Sequence, residues 1–513
     1  MVFIKTTSGQ PSIESFSLID MLQNRRALLL GNRSQDSNFV PGINQSQNTE
    51  FLFPDNSIGA NKVNINIPKQ YDAVATKDHV SGTTLIRYDG SIFYSIASVV
   101  DYAITKNKAS FSLFLEEGTY NETRTIGDGT ISLSIVGASK LNSIISVKGL
   151  PGFFGGILDL GDDSLVNNLS LDVNEGVSFF IGSTNTFSRS VISNCLFVYS
   201  NSTFASIFIL LKGSNIVIQG NSFTSTVSFP VAPGVAPGLI QSYRSDTISA
   251  ITINENSFNS NSHRSIFLEA STSIKSVLIN NNTAQTQGYS FAVINYSGTA
   301  TNSIIFIKEN TISNSSVVNS TAVSINGFSD STNLFVVSGN LLENGRIIFQ
   351  NIIEGVITGN KIFNTISGLI AISINGTGLS FYVESNFIEV NLAHAVQTGN
   401  CVNIYFCNNR VKTAQSFNCI HSPNSTFSFS TFNGNQYSIT GTGTSSFLNV
   451  LSIVDSNISN NIAQVRTSGT TGRLITATTA NTNIITSNRV IAGGGTFLSF
   501  ATGTNIVANN LST

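Results

Sequence analysis

Thirteen asparagines recur down this chain in one sequence frame: Asn194, Asn221, Asn256, Asn282, Asn310, Asn340, Asn360, Asn386, Asn409, Asn435, Asn461, Asn488 and Asn510. They span 316 residues in 12 intervals, a mean period near 26. The residue three before each is apolar in all thirteen cases, and the residue two after is apolar in twelve, Ser512 being the exception. Self-similarity at such a period marks a repeat architecture, in which each unit buries its apolar side only against its neighbours.

One unit shows what the frame demands. In Ile216-Val-Ile-Gln-Gly-Asn221-Ser-Phe223, Ile216 and Ile218 share a parity and point to one side of a strand. Phe223 lies five residues beyond Ile218, an odd step that a straight strand would turn to the other side. Both positions are apolar throughout the repeats, so the chain must bend between them. Asparagine suits the bend because it tolerates the left-handed conformation and hydrogen-bonds locally. Units of this length, each with short strands and bends, predict the coils of a parallel β-solenoid. Stacked coils would align the bend asparagines into a ladder, with Ile, Val, Leu and Phe inside and Ser, Thr and Asn outside.

Composition excludes several classes. The net charge is −2 and only 11% of residues are charged, so there is no basic footprint for nucleic acid. No run of about 18 apolar residues is present to span a membrane. Cys195, Cys401, Cys407 and Cys419 lack metal-type spacing and are too few for a disulfide framework, so free thiols are expected, with no metal and no cofactor. The N-terminus shows no basic stretch followed by an apolar run, hence no recognisable signal peptide.

Residues 1–85 do not follow the repeat and read as an arm or attachment region, with a helical pattern within Ser12–Leu30 and prolines at 41, 54 and 68. Residues 86–130 read as a cap helix and first coil, the helix carried by Ile92, Ile96, Val99, Val100, Ala103 and Ile104; residues 131–513 read as the solenoid. The widest interval, between Asn221 and Asn256, holds a Pro-rich protruding loop, Phe229 to Gly238.

A helix, then Gly118-Thr-Tyr120-Asn-Glu122, then Ile131 to Gly137, then Ile144-Ile145 resembles the opening of pectin-lyase-like right-handed β-helix proteins. The likeness runs from about Ser91 to Thr513 and points to the viral or phage tailspike and spike type. It implies a single-stranded right-handed parallel β-helix whose helix shields the open first coil. It also implies carbohydrate substrates for those members that are enzymes, and a homotrimer by likeness to tailspikes. The pectin methylesterase signatures are missing, and one of them needs a Trp that this chain lacks.

Hydrolysis of a polysaccharide needs two carboxylates placed across the sugar. The best cluster beside the Pro-rich loop is Tyr243, Arg244, Asp246, Glu255, His263, Arg264 and Glu269. Asp246 and Glu269 lie 23 residues apart, near one coil, so adjacent rungs would bring them together as base or nucleophile and acid. Tyr243, Arg244, His263 and Arg264 are the candidate glycan contacts. Surface ion pairs are the plainer reading of all of them. Glu384, Glu389, His394, Arg410 and His421 form a more dispersed second group, and Asp162-Asp163 reads as a turn. With carboxylates so sparse, a non-enzymatic spike, fibre or capsid-associated protein of a virion is expected. Its arm would meet a capsid or tail neighbour, another chain would cover its last coil, and its surface would meet a host polysaccharide. A tailspike-like depolymerase, hydrolase or lyase, is the alternative.

Overall fold

A computed structural model describes residues 2–7, 10–15 and 71–512, outside 79–81, 148–155, 174–178, 184, 201–206, 226–236, 244, 246, 262, 271–272, 288–289, 298–300, 316–320, 329, 377–379, 400, 415–416, 441–442, 466–469 and 492–497. The chain divides into two units, Met1–Lys62 and Val63–Thr513. In the first, Val2–Thr7 and Gln10–Ser15 pair antiparallel, with Val2 opposite Ser15. The helical pattern read from residue 12 therefore starts inside a strand, and from residue 16 it lies outside the described residues.

The second unit is the parallel β-helix that the repeat predicts. Each coil contributes a strand to three faces in turn. In one coil Gly213–Gln219 lies on face 1, Ser222–Ser225 on face 2 and Gly238–Gln241 on face 3; the next coil repeats this with Thr247–Asn254, Ser257–Ser260 and Arg264–Ala270. Strands pair parallel with the same face of the next coil: Ile218 with Ile253, Phe223 with Phe258, Ile240 with Ile266. Among the described residues face 2 stacks sixteen strands, roughly 70 Å at the usual strand spacing. The odd step resolves as expected: Ile218 and Phe223, Ile253 and Phe258, Val337 and Leu342 are all buried on either side of a bend.

The amide ladder is unbroken from Asn221 to Asn510. At each step the side-chain Nδ2 donates to Oδ1 of the next asparagine, at 3.0 Å from Asn221 to Asn256 and 2.9 Å from Asn461 to Asn488. The same Nδ2 donates to a main-chain carbonyl of the preceding coil, as Asn221 does to Ile192 at 2.9 Å. The Oδ1 also accepts the main-chain N–H of the asparagine before it, as Asn256 does from Asn221.

Two details differ from the sequence reading. The residue in the left-handed conformation is the one before each ladder asparagine: Gly220, Glu255, Asn281, Glu309, Gly339, Gly359, Ser385, Asn408, Gly434, Asn460, Ser487 and Asn509. The bend is thus made one residue early, which leaves the asparagine free to point its amide inward along the stack. The first frame member, Asn194, is out of the ladder by one position. It holds the left-handed site itself, with φ 50°, and bonds outward to Asn168 Oδ1 at 2.8 Å. Cys195 occupies the ladder position, where its N–H donates to Asn221 Oδ1 at 2.8 Å and its thiol donates to the Ser193 and Val166 carbonyls. Burial pushes that thiol up to about 12. Cys195→Asn should extend the ladder by one amide, reaching Asn221 Oδ1 and the Val166 carbonyl. It is expected to stabilise the protein by about 1 kcal/mol, the net value of one well-made buried hydrogen bond, read as a higher urea midpoint.

The N-terminal edge of face 1 is closed by an antiparallel meander. Ala73–Lys77 pairs parallel with Ser110–Leu115 and antiparallel with Thr84–Tyr88, which pairs with Ser91–Phe93. Ile92 belongs to that last strand and is 49% exposed, so the helix starts later than its pattern suggested, at Ile96, and runs to Thr105. Ser95 caps it, its hydroxyl accepting the Ser98 N–H, and Ile96, Val99, Val100 and Ala103 are buried. Glu122 of the Gly-Thr-Tyr-Asn-Glu segment reaches the same helix end. Its carboxylate is 1% exposed and accepts the N–H groups of Ile96 at 2.6 Å and Ala97 at 3.2 Å. Burial holds its pKa above the usual carboxylate value despite those two donors.

Candidate functional surface

Of the residues singled out beside the Pro-rich loop, Tyr243 follows the face 3 strand Gly238–Gln241, while His263 and Arg264 stand at the start of the next coil's face 3 strand and Glu269 near its end. Glu255 stands at the bend between faces 1 and 2 and accepts the Gln219 amide at 3.1 Å. Arg244, Asp246 and the loop residues 226–236 lie outside the described residues. Glu269 sits on the face 3 strand Arg264–Ala270, half-buried. Its N–H donates to Ser242 Oγ, and the Ser242 hydroxyl donates to the Glu269 carbonyl, both at 2.9 Å. Tyr243, directly after Ser242, is 45% exposed. The one-coil spacing between the 240s and the 260s therefore does bring adjacent rungs together.

Two of the proposed glycan contacts are buried instead. His263 is fully buried, its ring among Tyr199 and Phe208 at 6.3 and 5.9 Å between centroids. The polar ring is taken inside by the aromatic column, which ends its candidacy as a surface ligand. Arg264 is 8% exposed and lays its guanidinium over the Phe267 ring at 4.4 Å. Burial lowers its pKa, and Glu269 partly offsets that.

What spacing alone did not reveal is the column in which Glu269 stands. Because side chains alternate along each strand, every second residue of face 3 points outward, and the parallel register aligns these in lines down the rod. Glu269 pairs with Asn295, Asn295 with Asn326, Asn326 with Gln350 and Gln350 with Asn375. Gln350 and Asn375 are exposed, and the other three are half-buried. Five polar side chains thus follow one another at about 4.8 Å per rung. A primary amide both donates and accepts, so the line can pair with hydroxyl groups in either orientation. Recurring Asn or Gln directly after the buried position of face 3, as in Ile294-Asn295, Ile325-Asn326, Phe349-Gln350 and Ile374-Asn375, was the available signal.

The second group separates into three places. On face 2, Lys412 bridges Glu389 at 2.5 Å, and the Arg410 guanidinium lies 5.5 Å from the Phe387 ring. Glu384 is buried on face 1, accepting the Asn408 amide at 3.4 Å. His394 and His421 do meet, at the corner between faces 2 and 3, with rings 3.7 Å apart and 7° from parallel. Asp162 and Asp163 both bond Arg189, which makes them an ion-paired turn. No group of three or more His, Cys, Asp or Glu residues suited to a metal is found among the described residues. Cys195, Cys407 and Cys419 are free thiols. No helix among the described residues is long and apolar enough to cross a membrane.

No family model matches the chain, and no curated protein matches it. Solved structures give fold-level likenesses at low identity. The A-module of the Azotobacter vinelandii mannuronan C-5 epimerase AlgE4 is 12% identical over 79% of this chain and 95% of its own, with a TM-score of 0.32. The DFA-IIIase of Arthrobacter chlorophenolicus A6 is 12% identical over 82% and 83%, with a TM-score of 0.30. Tailspike protein 3 of bacteriophage CBA120 is 11% identical over 85% and 65%, with a TM-score of 0.33.

Proposed function

We propose that this chain is a spike- or fibre-type adhesion protein of the pectin-lyase-like β-helix kind, which lays a host-surface glycan along face 3. The observation that carries the reading is the outward line Glu269–Asn295–Asn326–Gln350–Asn375, headed by the exposed ring of Tyr243. A hydroxyl-rich polymer lying along the rod would meet one carboxylate and then an amide at each of the next four rungs. Tyr243 offers an apolar ring face to a sugar and a hydroxyl to its edge. Glu269 is the one ionisable member of the line, so the reading favours a neutral or amino-sugar polymer over a polyanion. In this reading residues 1–85 join a virion neighbour, the assembled form is a homotrimer, and the protein works outside the cell after particle release.

Binding of purified capsular or cell-wall polysaccharide, followed by isothermal titration, tests it. Tyr243→Ala is expected to weaken binding roughly tenfold, about 1.4 kcal/mol, and Gln350→Ala and Asn375→Ala to weaken it by smaller steps, with folding unchanged. Binding that ignores all three substitutions would overturn the assignment to face 3.

The depolymerase reading rests on Glu269 with Asp246 at one coil's spacing. New reducing ends or unsaturated sugars released from the same polysaccharide, and lost in Asp246→Asn or Glu269→Gln, would replace adhesion by catalysis.

A further inference from the structure

We propose that the stacked pair His394 and His421, with Asn418 and Asn449, is an acid-labile latch holding the corner between faces 2 and 3 in two successive coils. His394 lies between the face 2 strand Phe387–Val390 and the face 3 strand Val396–Thr398; His421 lies one coil on, in the face 3 strand Ile420–Ser428.

The hydrogen bonds fix the protonation state that closes the latch. His394 Nδ1 accepts the main-chain N–H of Asn418 at 2.8 Å, so that nitrogen carries no proton and the ring is neutral, with its hydrogen on Nε2. The Asn418 side chain is oriented by its other end, where Oδ1 accepts the Ser446 N–H at 2.8 Å. Its Nδ2 therefore faces His421 Nδ1, at 3.0 Å, and the Asn449 amide nitrogen faces the same atom at 3.2 Å. His421 Nδ1 is then an acceptor as well, and its ring is neutral. The corner is completed by the Ala395 N–H, which donates to the Asn418 carbonyl at 3.2 Å, and by Val396, which donates to Cys419.

Protonation breaks this arrangement in two ways. Each Nδ1 becomes an N–H pointing at an N–H. Two cations then stand 3.7 Å apart with rings parallel. Both rings are half-buried, so water screens them weakly. Among the described residues, the groups facing the pair offer no counter-charge. Phe417 stands edge-on to His394 at 5.2 Å, Asn418 and Asn449 are amides, and Gln397 is the register partner of His421 on the preceding coil. Cys419, beside Asn418, is a fully buried thiol whose pKa burial raises well above its ordinary value. On the following rung Arg473 pairs in register with Ser446, adding a cation and no anion. The ionisable residues between 391 and 425 are the two histidines, Arg410, Lys412, Tyr405 and three cysteines, with no carboxylate among them.

The titration follows from the same surroundings. Burial, and then the neighbouring His421, hold His394 down to about 4; burial also lowers His421. A histidine whose folded pKa is depressed takes up protons more readily when unfolded. Its contribution is complete above the free imidazole value of about 6.5 and is lost as pH falls from there towards 4.

Hydrogen exchange read by mass spectrometry, corrected for the intrinsic pH dependence of exchange, tests the latch on the whole chain. Protection of peptides covering 391–398 and 415–422 is expected to drop at least tenfold between pH 7 and pH 4, while peptides through Asn256 and Asn282 hold theirs. The double variant H394Q/H421N has no group to titrate there and is expected to show no such drop. Unchanged protection in the native chain, or the same drop in the double variant, would overturn the proposal. Should that variant not fold, ring-proton NMR of the native chain decides: both rings titrating below the ordinary imidazole value uphold the latch, and both titrating near 6.5 refute it. Neither readout depends on glycan binding.

Discussion

Replacing Asn340 by alanine is expected to destabilise the β-helix by about 4 kcal/mol, a large effect for one side chain. Asn340 is 1% exposed and sits mid-ladder. Its Nδ2 donates to Asn360 Oδ1 at 2.9 Å and to the Ile307 carbonyl at 3.0 Å. Its Oδ1 accepts from the Asn310 main-chain N–H at 3.0 Å and from the Asn310 amide at 2.9 Å. Alanine takes these partners away at once, in a place water does not reach, and each buried group left unmet costs about 1–3 kcal/mol. The same change at Asn510, partly exposed in the last described coil, removes fewer buried bonds and is expected to cost about 1 kcal/mol. Urea unfolding of the two variants, read by circular dichroism, gives the comparison.

Phe223→Ala is expected to cost about 4 kcal/mol, within the usual range for a buried phenylalanine. Its ring is the middle of a column, 4.8 Å from Phe197 and 4.9 Å from Phe258, with planes within 11° and 6°. The parallel register fixes these rings at the rung spacing, so the neighbours cannot close into the space without shifting whole coils. The loss should therefore include nearly the full cavity cost. Thermal unfolding should show it, and a variant that also removes Phe258 should lose less than the sum of the two, because the rings share contacts.

The repeat was legible because its two apolar positions straddle an odd step, which a strand without a bend cannot satisfy. Ile218 and Phe223 needed no structure to be placed inside. The ladder was legible from Asn221 onward for the same reason. What misled was the choice of the bending residue. Asparagine favours left-handed backbone, but here the residue before it bends, often glycine as at Gly220 and Gly339, and the asparagine is used for its inward amide. That also explains Asn194, which fits the apolar spacing by coincidence of alternating Val191 and Leu196 while Cys195 holds the ladder site. A second corner line was missed. Ser430, Ser456, Asn483 and Asn505 succeed one another, each main-chain N–H donating to the next side-chain oxygen. It mixes two residue types and covers few coils, so no single-residue frame exposes it.

The candidate surface was less legible than the fold. Residues 26 apart in sequence are neighbours only if their faces and parities agree, and loop lengths blur both. Tyr243 and Glu269 stand on adjacent rungs, tied together by the Ser242–Glu269 bonds. His263 does not join them, because its strand-flanking position turns inward against Phe208. His394 and His421 are 27 residues apart. Their pairing was within reach of the period, yet their orientation depends on corner bonds to Asn418 that no pattern encodes.

Amides of successive coils are coupled through space along the ladder, and a double-mutant cycle measures that coupling. Asn340 and Asn360 are joined at 2.9 Å although 20 residues apart. The unfolding free energies of N340A, N360A and the double variant should deviate from additivity by about 1–2 kcal/mol, while N340A with N461A, several coils away, should add within about 0.5 kcal/mol. Simple additivity for both pairs would contradict the ladder.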